Sequence, residues 1–220
     1  MRGAWDRPAQ RSLRLLSGLV LFGVALAALV QADLGLDPWT VFNQGVAERT
    51  GLTIGQVTIA CSLLLLLLWI PLGQRPGLGT IANALVVGPV LDLALEVIPE
   101  PAHLAGQVAY AVVAILGVAV ATGLYVGAGW GPGPRDGLMT GLAARGVPIP
   151  WARAGIELTV LAVGWLLGGT VGVATVLFAT AIGALVKQAL RRLSLAPASA
   201  PSRERAREAA VAGASGPARR

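Results

Sequence analysis

The chain has 220 residues, 55% of them hydrophobic and 13% charged, with a mean hydropathy of +0.71. Soluble domains carry about 25% charged residues, so the composition argues against an ordinary soluble domain and predicts one polytopic membrane domain built from spans of ~20 apolar residues. A formal charge of +6 and a pI of about 11.0 would suit nucleic acid, but the positions of the basic residues read as membrane topology instead.

In chain order, residues 1–12 are a short basic N-terminal segment and the first span covers 13–32. Arg2, Arg7, Arg11 and Arg14, an apolar stretch and "VQA" at 30–32 also fit a secretory signal. The run is long for a signal and has a partner later in the chain, so it reads as a retained span. The insert "ADLGLDPWTVFNQGVAERTGL" follows. Pro38 there suits the first turn of a helix, where its missing N–H costs nothing, and a short helix is expected over 38–49, ending near Gly51. Spans at 54–72, 78–98 and 106–128 come next, the second of them carrying Asn83, Asp92 and Glu96. A second insert, "AGWGPGPRDGLMTGLAARGV", predicts a helix over 134–145 from Pro134 to the vicinity of Gly146. Spans at 152–168 and 170–190 close the membrane part. The tail 196–220, rich in Ala, Pro, Ser and Arg, is expected to be disordered at the cytoplasmic surface. At ~12 residues and 1.5 Å each, the short helices cannot cross a bilayer. They lie at the interface or dip in as re-entrant half-helices. Trp39, Trp69, Trp130 and Trp151 fall near the ends of apolar runs, where a belt would meet headgroups.

With six spans, sixteen of the 17 Lys and Arg residues fall on one side and Arg49 alone on the other, together with Asp33, Asp37, Glu48, Glu96 and Glu100. The positive-inside bias then puts both termini in the cytoplasm. Self-comparison adds a second layer. A slide of 96 residues matches Gly35 to Gly131, Pro38 to Pro134, Gly45 to Gly141, Arg49 to Arg145 and Trp69 to Trp165. A slide of 95 matches Gly77 to Gly172, Thr80 to Thr175 and Gly88 to Gly183. The expected fold is therefore all-α: a helical bundle of two three-span repeats, 13–98 and 106–190, each with one short extra helix. An odd number of spans per copy makes the copies inverted, a recurrent plan of secondary transporters whose substrate site lies at the repeat interface. As evidence of transport this is fold-level analogy.

Candidate residues follow from cost. Glu157, some five residues into its span, is expensive unless it faces a cavity or a cation, which makes it a candidate for substrate or proton handling. Asp92 and Lys187 lie near span ends, where they handle solute or simply snorkel. Asn83, with Thr80, is either solute-binding or interhelical packing glue. Arg135 and Asp136 could grip a charged group, or report topology and complement the start of their helix. Gly35, Pro38, Gly131, Gly133 and Pro134 are the expected hinges between a span and a half-helix, and a helix start aimed inward offers free N–H groups to an anion. His103 sits in a loop beside prolines and reads as exposed. "GWGPGPRDG" lacks the Gly-Lys-Ser/Thr ending of a phosphate loop and follows a span instead of a strand. HExxH, CxxC and GxSxG are absent. One His and one Cys, Cys61, leave neither an intrachain disulfide nor a His/Cys metal site. The expectation is no enzyme, no catalytic residue, no cofactor and no metal.

"GLDPWTVFNQGVAERTGLTIGQV", "WIPLGQRPGLGTIANALVVGPVLDL" and "GWGPGPRDGLMTGLA" resemble the YczE/YitT-type bacterial integral membrane proteins, and the YczE branch in particular, over about residues 15–190. The resemblance implies a multi-span protein of the bacterial inner membrane. At family level it suggests transport, or a supporting role in secondary-metabolite or peptide production. The leading expectation is a transporter or channel for a small solute. The rival is a non-transporting scaffold that assists a biosynthetic or secretory system. Expected partners are the lipid bilayer, a small solute, and a second copy or another membrane protein, but not nucleic acid.

Overall fold

The computed structural model describes residues 8–195; the N-terminal residues 1–7 and the tail 196–220, for which disorder was expected, lie outside the described residues. Eight helices and no strand occur among the described residues: α1 (Pro8–Gln31), α2 (Pro38–Thr50), α3 (Ile54–Leu72), α4 (Leu78–Val97), α5 (Leu104–Gly127), α6 (Pro134–Ala143), α7 (Ile149–Leu167) and α8 (Val173–Leu193). The protein is a helical membrane bundle.

Five of these helices, α1, α3, α4, α5 and α8, are long and apolar enough to cross a membrane. Six spans were expected. The span expected at 152–168 is present as α7, 19 residues long, but Arg153 and Glu157 in its first half keep it out of that set. Elsewhere the ends move by a few residues for local reasons. Pro150 enters the first turn of α7, and Gly168 ends it in a left-handed cap. The outward faces are rich in exposed aliphatic side chains: Leu63, Leu64, Leu67 and Leu68 on α3, and Val173, Val176 and Leu177 on α8. Water tolerates no contiguous apolar surface of that extent, whereas hydrocarbon does.

The bundle is built on α1 and α5, the most extensively packed pair. They run antiparallel, with Gly18 against Ala121 and Tyr125 and Gly117 against Ala25. Leu15, Leu19, Leu26 and Leu29 of α1 meet Ala111, Ala114, Ile115 and Val118 of α5 in the core. On one flank α4 lies along α1, and on the other α8 lies along α5. Thr80 of α4, fully buried, donates to the Pro132 carbonyl at 2.7 Å and so ties α4 to the turn that precedes α6.

The two short helices are buried elements of the bundle. Pro38, Trp39, Thr40, Val41, Asn43, Gly45 and Ala47 of α2 are buried, as are Pro134, Gly137, Met139 and Gly141 of α6. Helix α2 crosses α7, with Gly45 against Gly164, and α6 crosses α3, with Gly137 against the Trp69 ring. Gly35 (φ 104°) and Gly131 (φ 117°) turn the chain into them in left-handed conformations that side chains resist.

Several bonds recur on the residues that the slides of 95 and 96 match. The Gly79 amide donates to the Trp130 carbonyl at 2.8 Å, and the Ala174 amide donates to the Leu34 carbonyl at 2.8 Å. The Gly77 and Gly172 amides donate to Thr80 Oγ1 and Thr175 Oγ1, each at 3.2 Å. Arg49 Nε donates to the Leu167 carbonyl at 3.0 Å, and Arg145 Nη2 donates to the Pro71 carbonyl. The correspondence stops at two places. Trp69 is buried and its Nε1 donates to the Pro134 carbonyl at 2.9 Å, whereas Trp165 is 66% exposed. Helix α3 packs along α4, whereas α7 and α8 barely touch.

Candidate functional site

The starts of α2 and α6 meet. Asp37 caps α2, its Oδ2 accepting from the Thr40 amide at 3.3 Å, and Pro38 fills the first helical position. Pro134 does the same for α6, but Gly133 precedes it and no side chain caps that helix. Arg135, the next residue, reaches from α6 to Asp37, with Nη1 at 3.5 Å from Oδ2. Its guanidinium also lies over the Trp39 ring, 5.1 Å from the centroid. Trp39 and Arg135 are themselves matched by the slide of 96, so equivalent positions of the two inserts touch one another.

Around this junction lies a cavity of about 120 Å³. Its polar wall includes Asp37, Asn83, Tyr125, Arg135, Asp136 and Glu157. Leu26, Val87, Val118, Phe178 and Ile182 supply apolar wall from α1, α4, α5 and α8. The charges are largely matched. Arg153 Nε donates to Glu157 Oε1 at 2.9 Å one turn along α7, and Tyr125 OH donates to Asp136 Oδ2 at 3.4 Å. Phe22 packs edge-on to the Tyr125 ring at 6.0 Å and holds it against the cavity. At the start of α2 the matching is incomplete. Asp37 Oδ1 and Trp39 Nε1 are buried without a partner among the described residues. So are Thr40 Oγ1 and Asn43 Oδ1, although Asn43 Nδ2 donates to Thr58 Oγ1 at 2.9 Å. A buried polar atom left unpaired costs about 1–3 kcal/mol, so such a cluster marks a place where a guest or water completes the bonding.

Of the residues singled out from sequence, Glu157, Asn83, Arg135 and Asp136 line this one cavity, together with Pro38, Gly133 and Pro134. Gly35 and Gly131 form the turns that deliver the two short helices and contact the starts of α8 and α4 respectively. Asp92 lies elsewhere. Its Oδ2 accepts from Thr53 Oγ1 at 2.5 Å and its Oδ1 from the Gly55 amide at 2.8 Å, so it ties α4 to the start of α3. Lys187 lines a separate groove with Arg191 and Arg192 on α8. Asp37, Tyr125 and Arg153 were missed, and Trp39, expected with Trp69 in a belt at the headgroups, is buried, as is Trp69. An Asp directly before a proline that starts a helix is a cap signal, and it hides the second task of Asp37, because its partner lies 98 residues on. Among the described residues no group of three or more His, Cys, Asp or Glu is arranged to hold a metal.

Comparison with known proteins agrees with the membrane architecture. An uncharacterised protein of Haemophilus influenzae is 38% identical over 184 residues, covering 83% of this chain and 84% of the relative. The uncharacterised membrane protein YczE of Bacillus subtilis is 32% identical over 179 residues, covering 79% of this chain and 82% of that protein. These bear out the resemblance to the YczE branch read from the motifs. No solved structure matches the chain. Residues 9–191 match the model of a family of unknown function, DUF6198, and the chain, an integral multi-pass membrane protein, belongs to that family.

Proposed function

We propose that the protein moves a small solute across the bacterial inner membrane, as a transporter or channel. The reading has α7 cross the membrane as a sixth span, both termini in the cytoplasm, and α2 and α6 entering as half-helices from opposite faces. The observation that carries it is the Asp37–Arg135 contact: two short-helix starts meet through a largely buried ion pair in the wall of a partly open cavity of mixed polar and apolar lining. Half-helix starts converging on a buried site between inverted units are a recurrent construction of secondary transporters. The bonds made twice at a spacing of 95 or 96 residues support two units of one design. The two mismatches, at Trp69/Trp165 and at α3–α4/α7–α8, support a conformation closed at one unit and looser at the other. No enzymatic step, cofactor or metal enters this reading.

The test is flux. Purified protein in liposomes loaded with a labelled extract of small metabolites is expected to release at least one solute faster than protein-free liposomes, and Arg135→Ala is expected to abolish that release. If no solute moves, and a deletion phenotype is rescued equally well by the Arg135→Ala protein, transport is wrong. A scaffold role, with a co-purifying membrane partner, then takes its place.

A further inference from the structure

Asp37 and Arg135 are each only partly used by the protein. Arg135 touches Asp37 through one nitrogen, at 3.5 Å. Asp37 Oδ2 takes that contact and the Thr40 amide, while Oδ1 is left without a donor although the side chain is 4% exposed. Beside it the Trp39 Nε1–H is buried without an acceptor. On the opposite side of the junction α6 begins without a side-chain cap, because Gly133 stands where the slide of 96 places the counterpart of Asp37. The first turn of α6 carries its own acid, Asp136, so the open donors on this side are those of the Arg135 guanidinium, which touches Asp37 through a single nitrogen. The junction thus holds one unfilled acceptor on a carboxylate and, beside it, unfilled donors on Trp39 and Arg135.

The rest of the lining narrows the guest. Glu157 is paired with Arg153, and Asp136 with the Tyr125 hydroxyl. A simple anion would enter a wall with three carboxylates and two guanidiniums and leave its charge uncompensated, and a simple cation would leave the open donors of Arg135 and Trp39 unfilled. A guest carrying both signs would meet both unfilled sets. The space is small, about 120 Å³, and its remaining wall is aliphatic, including Leu26, Val87 and Val118. We infer that the cavity binds a small zwitterion of the α-amino acid type. Its carboxylate faces Arg135 and the Trp39 N–H; its ammonium faces Asp37 Oδ1; a short aliphatic side chain lies on the apolar wall. The inference names the solute class of the transport reading and rests on that reading for its purpose, but binding alone tests it.

The experiment uses the purified full chain in detergent, with glycine, L-alanine, L-serine and L-proline as probes in calorimetry and in protection against thermal unfolding. Acetate and methylammonium serve as the single-charge halves. At least one amino acid is expected to bind about tenfold or more tightly than either half, since removing one partner of a desolvated charge contact weakens binding by at least that factor. Asp37→Asn keeps a side chain able to cap α2 and is expected to weaken the amino acid by a similar factor; because it also breaks the contact with Arg135, the unfolding temperature of the empty protein is expected to fall, and binding is read at a temperature where the variant is folded. Asp92→Asn is expected to leave binding unchanged. Acetate binding as tightly as the amino acid would make this an anion site, and methylammonium doing so would make it a cation site; either overturns the inference. Should Asp37→Asn not fold, the wild-type panel decides alone. If no amino acid binds while liposomes move another solute, the zwitterion is wrong and transport stands. Amino acid binding without flux would support the site and remove the transport reading.

Discussion

Gly137 lacks a side chain because the Trp69 ring occupies the space that one would fill. A Cβ there would fall inside the ring, so Gly137→Val should push Trp69 off α6 and break its bond to the Pro134 carbonyl. Overpacking of this kind costs about 1–3 kcal/mol, read as a lowered unfolding temperature in detergent. Gly155, in the interior of α7 with nothing near its Cβ position, is the control. Gly155→Ala should leave stability unchanged or raise it by about 1 kcal/mol through helix propensity. Neither outcome was legible in the sequence, where each is a glycine within two residues of an arginine and an acidic residue. Glu157 likewise read as a costly intramembrane carboxylate, and Asp92 as one near a span end that handles solute or snorkels. The difference between them is their neighbours: a helix start for Asp92, a cavity and Arg153 for Glu157. Cost per residue is written in the chain, whereas partners many residues away are not.

Trp69 and Trp165 occupy matched positions on α3 and α7 and have opposite fates. Trp69→Phe removes the indole N–H that holds the start of α6, at about 0.5–1.5 kcal/mol for one hydrogen bond. Trp165→Phe should change nothing measurable in the same unfolding assay, because that ring is 66% exposed. The reason for the asymmetry is local. Trp69 seats on Gly137, whereas the residue matched to Gly137 is Val41, whose side chain is buried and denies Trp165 an equivalent seat. Helix existence was largely legible, because apolar runs of ~20 residues and prolines at helix starts are local signals. The short helices began at Pro38 and Pro134 as expected, and their ends moved by one and two residues. Their burial was not legible, since it depends on α7 and α3 supplying Gly164 and Trp69 from the other half of the chain.

Across the whole molecule, the proposed six-crossing arrangement makes a simple demand. The loop after α2 and the loop after α6 must face opposite compartments. In a background with Cys61 replaced by Ala, cysteines introduced at Leu52 and Val147 should differ in labelling by a membrane-impermeant maleimide in intact cells. Leu52→Cys should react from outside and Val147→Cys only after permeabilisation. Both positions are at least 38% exposed, so access to the side chain is not the limiting factor. Labelling of both from one side would end the inverted arrangement. The correspondence between the two halves was legible as matched Pro, Arg and Trp residues. Which of those matches carry equivalent bonds was not, because Arg49 and Arg145 keep theirs while Trp165 does not.

The arginine and glutamate in the first half of α7 also bear on how the protein is made. A lone basic or acidic residue at the centre of a nascent helix raises its insertion cost by up to about 3 kcal/mol, and Arg153 unpaired would burden α7 in that way. By the time α7 leaves the ribosome, α2 has already been synthesised, and it is the helix with which α7 packs most. Biogenesis of the second half would then lean on the first, with α7 entering as a neutralised hairpin partner docked on an existing surface. In a glycosylation-mapping assay of α7 alone, Glu157→Ala should reduce membrane integration, and the double change Arg153→Ala with Glu157→Ala should raise it above wild type. In the full chain both differences should shrink, because α2 would then stand ready to receive the helix.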